Sequence, residues 1–252
     1  MAAPASMNIE TADLSGLHAV ESGTLGQRVY NELRDFLMVG GVQPGEKITL
    51  RQLTSAFGTS LMPVREAVQR LAAEGALEVL PNRAIRVPIM TKAGVREILK
   101  VRILLEGLAV EEACARIQPA AIAQLEELNT VFMQEMRLRE DSARLFRVNK
   151  EFHFTIYRAA EMPVLLRIIE NMWLRAGPFL HFSLGVRGRA ATRKFAPDSH
   201  QDIIRAMHRR DGALGRAPLR AILRARPISF CNSATFLTDI ANNHAKHTNT
   251  LR

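Results

Sequence analysis

The sequence predicts a mainly α protein, an N-terminal winged helix-turn-helix followed by an all-α helical bundle. Three observations predict it. Between Leu50 and Gly75, two short segments of helical apolar spacing are separated by Gly58, as in a tight helix-turn-helix. Directly after them, Leu77–Leu80 and Ala84–Val87 flank the turn Pro81-Asn82-Arg83 as a short hairpin. Beyond Val87 long stretches of helical periodicity recur and strand alternation does not.

The elements follow in order. Residues 1–23 hold no Lys or Arg, are rich in small residues and show no sustained period, so they read as a disordered leader. Thr24 is a candidate N-cap for a helix whose stripe is Leu25, Val29, Leu33 and Phe36–Leu37, ended by Gly40-Gly41. After the Gln43-Pro44-Gly45-Glu46 turn, Leu50, Leu53 and Phe57 mark a second helix, stopped by Gly58 in a left-handed turn. Ser60 is placed to cap a third helix, and Pro63 falls in its first turn, where a missing N–H costs nothing. Val64, Ala67, Val68 and Leu71 form its apolar stripe, which leaves Met62, Arg65, Glu66 and Gln69 outward.

Pro88 ends the hairpin, and Thr91 can cap a long helix to about Ile117. Val101, Leu104, Leu105, Leu108 and Ala109 give that helix a broad apolar face suited to burial in a bundle. Further helices are expected from Pro119 to about Arg139, Ser142 to Ala160, Pro163 to about Leu184, and Thr192 or Ser199 to Arg210. Gly185–Ala191 reads as a loop and Asp211-Gly212 as a break. The expected division is a leader (1–23), a winged helix (24–90), a bundle (91–226) and a divergent tail (227–252).

Composition sets weaker bounds. The chain is 47% hydrophobic, without a run near the roughly 18 apolar residues of a membrane span. No basic segment precedes an apolar one at the N-terminus, so no secretory signal is read there. Cys114 and Cys231 make neither a disulfide framework nor a zinc-knuckle spacing. A cytoplasmic protein without membrane contact is the expectation. The net charge of +9 invites a nucleic-acid partner, yet residues 24–90 carry eight basic against six acidic side chains. Bulk charge therefore locates no surface. Position does: Arg51, Arg65 and Arg83 stand on a helix start, the outward face of the third helix and the hairpin.

The segments PGEKIT, LRQLTSAFGTS, MPVREAVQRLAAEG and PNRAIRV resemble the DNA-binding domain of the GntR family of bacterial transcription regulators. The segments VRILLEGLAVEEACARI, FRVNKEFHFTIYRAAEMPVLLRIIENMW and HQDIIRAMHRRDGAL, within about residues 92–225, resemble the FCD effector-binding domain of its FadR subfamily. The resemblance implies a homodimeric regulator that binds a palindromic operator in double-stranded DNA. Its expected DNA contacts are Arg51, Ser60, Leu61, Met62 and Arg65, with Asn82 and Arg83 on the wing. Arg51 or Arg65 is placed to read a guanine edge.

In the bundle, Arg102 and Glu106, Asn149 and His153, and Asn171 and Arg175 are pairs four residues apart, each on one helix face. Solvated surface pairs are one reading. An inward pocket is the other, since an arginine fork recognises a carboxylate and imidazoles bind divalent metal. Resemblance favours the pocket, because family members place an arginine on the first long helix and a metal-binding acid-and-three-histidine set in the bundle. Arg102 matches the first. Glu106, Asn171 and Arg175 join it as expected effector contacts. Asn149, His153 and His200 match three of the ligand positions for zinc or nickel. The departures are Asn149 for an aspartate, Ile222 where the third histidine is expected, Leu61-Met62 for a frequent Arg-Thr pair, and Ala84 for a wing glycine. Three neutral ligands leave a buried ion uncompensated, so weak metal binding, completed by a carboxylate effector, is expected alongside a metal-free alternative.

The function expected is a sequence-specific regulator, a repressor released by a small organic acid, rather than an enzyme. A metal-dependent hydrolase or lyase built on His153 and His200 is the alternative, weakened by the lack of an identifiable general base beside them. A non-specific DNA-organising protein is a third class, which a discrete effector bundle disfavours.

Overall fold

The computed structural model describes residues 25–81, 84–138, 142–183 and 189–224. The readings of the leader, of Thr24 as a cap, of Asn82 and Arg83, of the tail and of residues 185–188 lie outside them.

The winged helix comprises α1 (Leu25–Met38), β1 (Lys47–Ile48), α2 (Leu50–Phe57), α3 (Leu61–Ala73), β2 (Glu78–Val79) and β3 (Ile85–Arg86). Helix α2 starts at a reciprocal capping box. Gln52 N–H donates to the Thr49 hydroxyl oxygen, while Thr49 N–H donates to Gln52 Oε1. It ends at Gly58, whose φ of 59° and ψ of 35° are left-handed, the conformation that made glycine the expected stop. On α3, Val64, Ala67, Val68 and Leu71 are buried together against Leu33 and Leu37 of α1. Each buried valine or leucine side chain there contributes about 1.5–3 kcal/mol. The α1 stripe is Val29, Tyr30, Leu33, Leu37 and Met38 rather than the expected set. Leu25 and Phe36 are about half exposed, because Phe36 lies some 100° around the helix from Leu37.

Arg70 locks α3 to α1. Its guanidinium lies 3.7 Å from the Tyr30 ring centroid, donates to Gln27 Oε1 at 2.9 Å and pairs with Glu74. Tyr30 donates its hydroxyl to the same carboxylate at 2.9 Å. Burial first, and Glu74 second, raise the Tyr30 phenol above its ordinary value, so it remains a neutral donor. The sheet is antiparallel in the order β1-β3-β2, with Lys47 opposite Arg86 and Val79 opposite Ile85. Strand β1 escaped the sequence reading, since two residues are too few to show a period.

The second half is helical throughout its described residues: α4 (Lys92–Arg116), α5 (Pro119–Leu138), α6 (Ser142–Ala159), α7 (Pro163–Ser183), α8 (Arg189–Arg209) and α9 (Gly212–Arg224). Helix α4 packs on α6, α7 and α9, α5 on α6 and α8, and α8 on α9. Thr91 caps α4 by accepting from Gly94 N–H at 3.1 Å. Residues 189–191, expected in a loop, open α8, and α9 follows the Asp211-Gly212 break as an unexpected last helix. Both α7 and α9 run through an internal proline, Pro178 and Pro218, each forgoing one helical hydrogen bond.

The main correction concerns α4. Its buried line is Val95, Ile98, Leu99, Arg102, Glu106, Ala109, Val110 and Ala113. Leu104 is 64% exposed, and Val101 and Leu108 are 36% exposed. Of the five residues expected inside, Ala109 is buried and Leu105 packs against the core, but Val101, Leu104 and Leu108 lie on the outer surface, while an arginine and a glutamate point inward. No described helix is long and apolar enough to cross a membrane.

Candidate functional site

Two places in the fold collect chemistry, the outward face of α3 and a buried polar cluster behind it. On α3 the buried residues fix the helix rotation, so Leu61, Met62, Arg65, Glu66 and Gln69 are all solvent-facing. Ser60 takes the N-cap position with extended backbone, but its hydroxyl makes no capping hydrogen bond. The expected capping role is therefore corrected, and the exposed hydroxyl is left available for an outside acceptor. Arg51 on α2 and Arg65 on α3 are both exposed, and among the described residues neither side chain enters an ion pair. In the wing, Arg86 is spent on Glu78, with Nη2 2.6 Å from the carboxylate. Among the described residues of α2 and α3, Arg51 and Arg65 are thus cations whose charge is uncommitted.

The second place centres on Glu106. Arg102 Nε donates to Glu106 Oε1 at 2.5 Å, Trp173 Nε1–H donates to the same oxygen at 3.1 Å, and the Tyr157 hydroxyl donates to Oε2 at 2.5 Å. Arg102 and Glu106 are each 1% exposed or less. Three donors on one carboxylate are what a buried glutamate needs, since an unpaired charge there is costly. The Arg102 guanidinium also stands 4.6 Å from the Trp173 ring centroid. Its Nη2 is buried and has no hydrogen-bond partner.

Histidines extend the cluster. His153 Nδ1 is 3.5 Å from the Tyr157 hydroxyl, one turn further along α6. The His200 ring is stacked on Phe152 at 4.0 Å and tilted against Phe132 at 4.7 Å, and it meets His153 edge-on at 5.2 Å. Asn149 lies one turn before His153 and is 9% exposed. Four partners here escaped the sequence reading: Phe132, Phe152, Tyr157 and Trp173. For Tyr157 a signal existed, the i+4 step from His153; for the lone tryptophan there was none beyond its rarity.

The donor set does not fit a resident zinc or nickel ion. Among the described residues no group of three or more His, Cys, Asp or Glu side chains is arranged to hold one. Ile222, the position at which the resemblance expects a third histidine, is 6% exposed within the apolar core. Glu106, the carboxylate beside Tyr157 and Trp173, is already engaged by three donors. The one cysteine among the described residues is no nucleophile: burial first, then the carboxylates of Asp211 and Glu111, push the Cys114 thiol up to about 11.

Asn171 and Arg175 do not join Arg102. They lie on the face of α7 opposite Trp173, two residues to either side of it, hence about 200° around the helix. Asn171 Nδ2 is 3.5 Å from the Glu74 carbonyl, and Arg175 lies alongside Gly75 at the end of α3. The same interface carries Arg34–Glu170 at 3.3 Å and Lys150–Asp35 at 2.7 Å. Gly177 comes so close that a Cβ there would stand 2.7 Å from the Met38 carbonyl oxygen. Ala176 and Phe179 pack with Val95, Ile98 and Leu99 of α4. One helix thus touches the buried cluster through Trp173 and the winged helix through its other side.

Comparison with known proteins accords with both halves. Residues 25–87 match the gntR family of bacterial regulatory proteins, and residues 97–225 match the FCD domain. The chain is 33% identical over 187 residues to the HTH-type transcriptional regulator McbR of Escherichia coli, covering 74% of this chain and 84% of that protein. It is 27% identical to the gluconate operon transcriptional repressor of Bacillus subtilis, over 77% of this chain and 80% of the relative. A solved structure of E. coli McbR/YncC superposes with a TM-score of 0.75 at 32% identity, covering 80% of this chain and 94% of that one. A GntR regulator from Rhodococcus, at 18% identity and a TM-score of 0.64, shares the fold.

Proposed function

Since the chain belongs to the gntR family of bacterial regulatory proteins and carries the FCD domain, it is a DNA-binding transcription regulator and not an enzyme; we propose that it is a homodimeric repressor released by a small organic acid. The comparisons lend the hydrolase or lyase alternative no support. Repression is favoured by relatives named as repressors, those of the gluconate operon and RspR of E. coli. Acting on bacterial DNA, it works in the cytoplasm.

The observation that carries the effector reading is Arg102 Nη2, a charged donor buried without a partner at the edge of a polar cluster. A buried donor left unmade costs about 1–3 kcal/mol, which a ligand carboxylate or carbonyl relieves. Glu106 already balances the guanidinium, so recognition rests on one directed hydrogen bond and the surrounding rings rather than on free positive charge. No resident metal is required; zinc or nickel enters only if the effector's own oxygens complete Asn149, His153 and His200. Occupancy reaches DNA through α7, because whatever displaces Trp173 also moves the side that holds Glu74 and Met38.

A thermal-shift screen of organic acids, with and without chelator, tests this. An effector raises the melting temperature by mass action, loosens DNA binding, and does neither in Arg102→Met/Glu106→Leu, which leaves no buried charge unpaired. The shift is expected to persist in chelator. A shift that needs added zinc contradicts the metal-free reading, and the absence of any Arg102-dependent ligand contradicts the pocket.

The dimer reading rests on Val101, Leu104 and Leu108, an exposed apolar stripe along α4 at the i, i+3, i+7 spacing. Leu104→Glu is expected to halve the mass seen by light scattering, from about twice the 28.1 kDa chain to the chain alone, with the circular dichroism spectrum unchanged. A dimer that survives this change places the interface elsewhere.

A further inference from the structure

We propose that Leu61 and Met62 read the 5-methyl groups of thymine in the operator half-site. They are the first two residues of α3, the second helix of the helix-turn-helix, and they are 42% and 58% exposed. Pro63 follows in the same turn, and Val64 is fully buried, so the backbone holds both side chains outward. Helix-turn-helix proteins bring the first residues of this helix to the base edges. Neither side chain donates or accepts a hydrogen bond of consequence, so neither binds a phosphate. On the base edges of the major groove the apolar group is the thymine methyl. Arg65, one turn on from Leu61 and three residues from Met62, supplies the polar contact on the same face. A half-site with thymine beside guanine is the sequence this face fits.

The inference rests on the sequence-specific DNA-binding reading. Its test begins with selection of duplexes by the full-length protein from a random library. Each thymine of the selected half-site is then replaced by deoxyuridine, which removes the methyl and nothing else. One or two positions are expected to lose about fourfold in affinity, the worth of one buried methyl. The Leu61→Ala/Met62→Ala variant is expected to bind thymine and uracil duplexes equally while keeping its guanine preference, which Arg65→Ala loses. Selection of no sequence at all would overturn the underlying reading. A selected sequence in which no thymine is sensitive to deoxyuridine, or a sensitivity unchanged in the double-alanine variant, would overturn this inference alone. So would a variant that alters the oligomeric mass while its thymine preference persists, for the pair would then serve a protein contact.

Discussion

Glu106→Ala lowers the unfolding free energy by about 3–5 kcal/mol, the cost of leaving one partner of a buried ion pair uncompensated. Arg102, 1% exposed, loses its Nε acceptor, while Tyr157 and Trp173 lose theirs. Because the residues sit on three helices, α4, α6 and α7, the loss spreads through the whole bundle. Arg102→Met/Glu106→Leu recovers the part due to the unpaired charge, since replacing a buried pair with apolar groups of similar volume is near neutral, while Tyr157 and Trp173 still lack their carboxylate acceptor. Denaturant titration of both variants gives the comparison. A Glu106→Ala loss under about 1 kcal/mol, the range of an exposed pair, would show that the cluster is hydrated and its charges screened.

Arg65→Ala weakens binding to the selected operator by about 1–3 kcal/mol, or roughly 5- to 150-fold, if the guanidinium reads a base edge. Arg65 is exposed and enters no ion pair among the described residues, so stability is expected to stay within about 0.5 kcal/mol. Random duplex separates the roles. A lost base contact lowers operator affinity alone, whereas a lost phosphate contact weakens both duplexes and reduces the salt slope by about 1. Equal weakening on both would reassign Arg65 to the backbone.

The winged helix was legible because its signals are local. Gly58, Pro63, Gly75 and the stripe from Val64 to Leu71 each dictate backbone or rotation within a few residues. The bundle's helices were legible for the same reason, yet α4's orientation was not. Hydropathy puts Val101, Leu104 and Leu108 inside, but Arg102 and Glu106 satisfy each other and recruit Tyr157 and Trp173 from 51 and 67 residues away. No local pattern states that a charged pair will be neutralised by distant partners. Asn171 and Arg175 illustrate the converse. Their spacing announced a shared face, and the sequence held no information on whether that face met the pocket or the winged helix. Leu61 and Met62 were visible as departures from the family pattern, and the stripe already turned Met62 outward; the exposure of Leu61 beside it is what the structure adds.

Discrimination of one DNA sequence from another by the α3 face underlies the expectations for Leu61, Met62 and Arg65. Its most direct test measures the affinity of the full-length protein, at one fixed salt concentration, for palindromic candidates from its own locus and for random duplex of equal length. At least a 10³-fold preference for one palindrome is expected, the lower end of specific recognition. Equal affinity for palindrome and random duplex would contradict it.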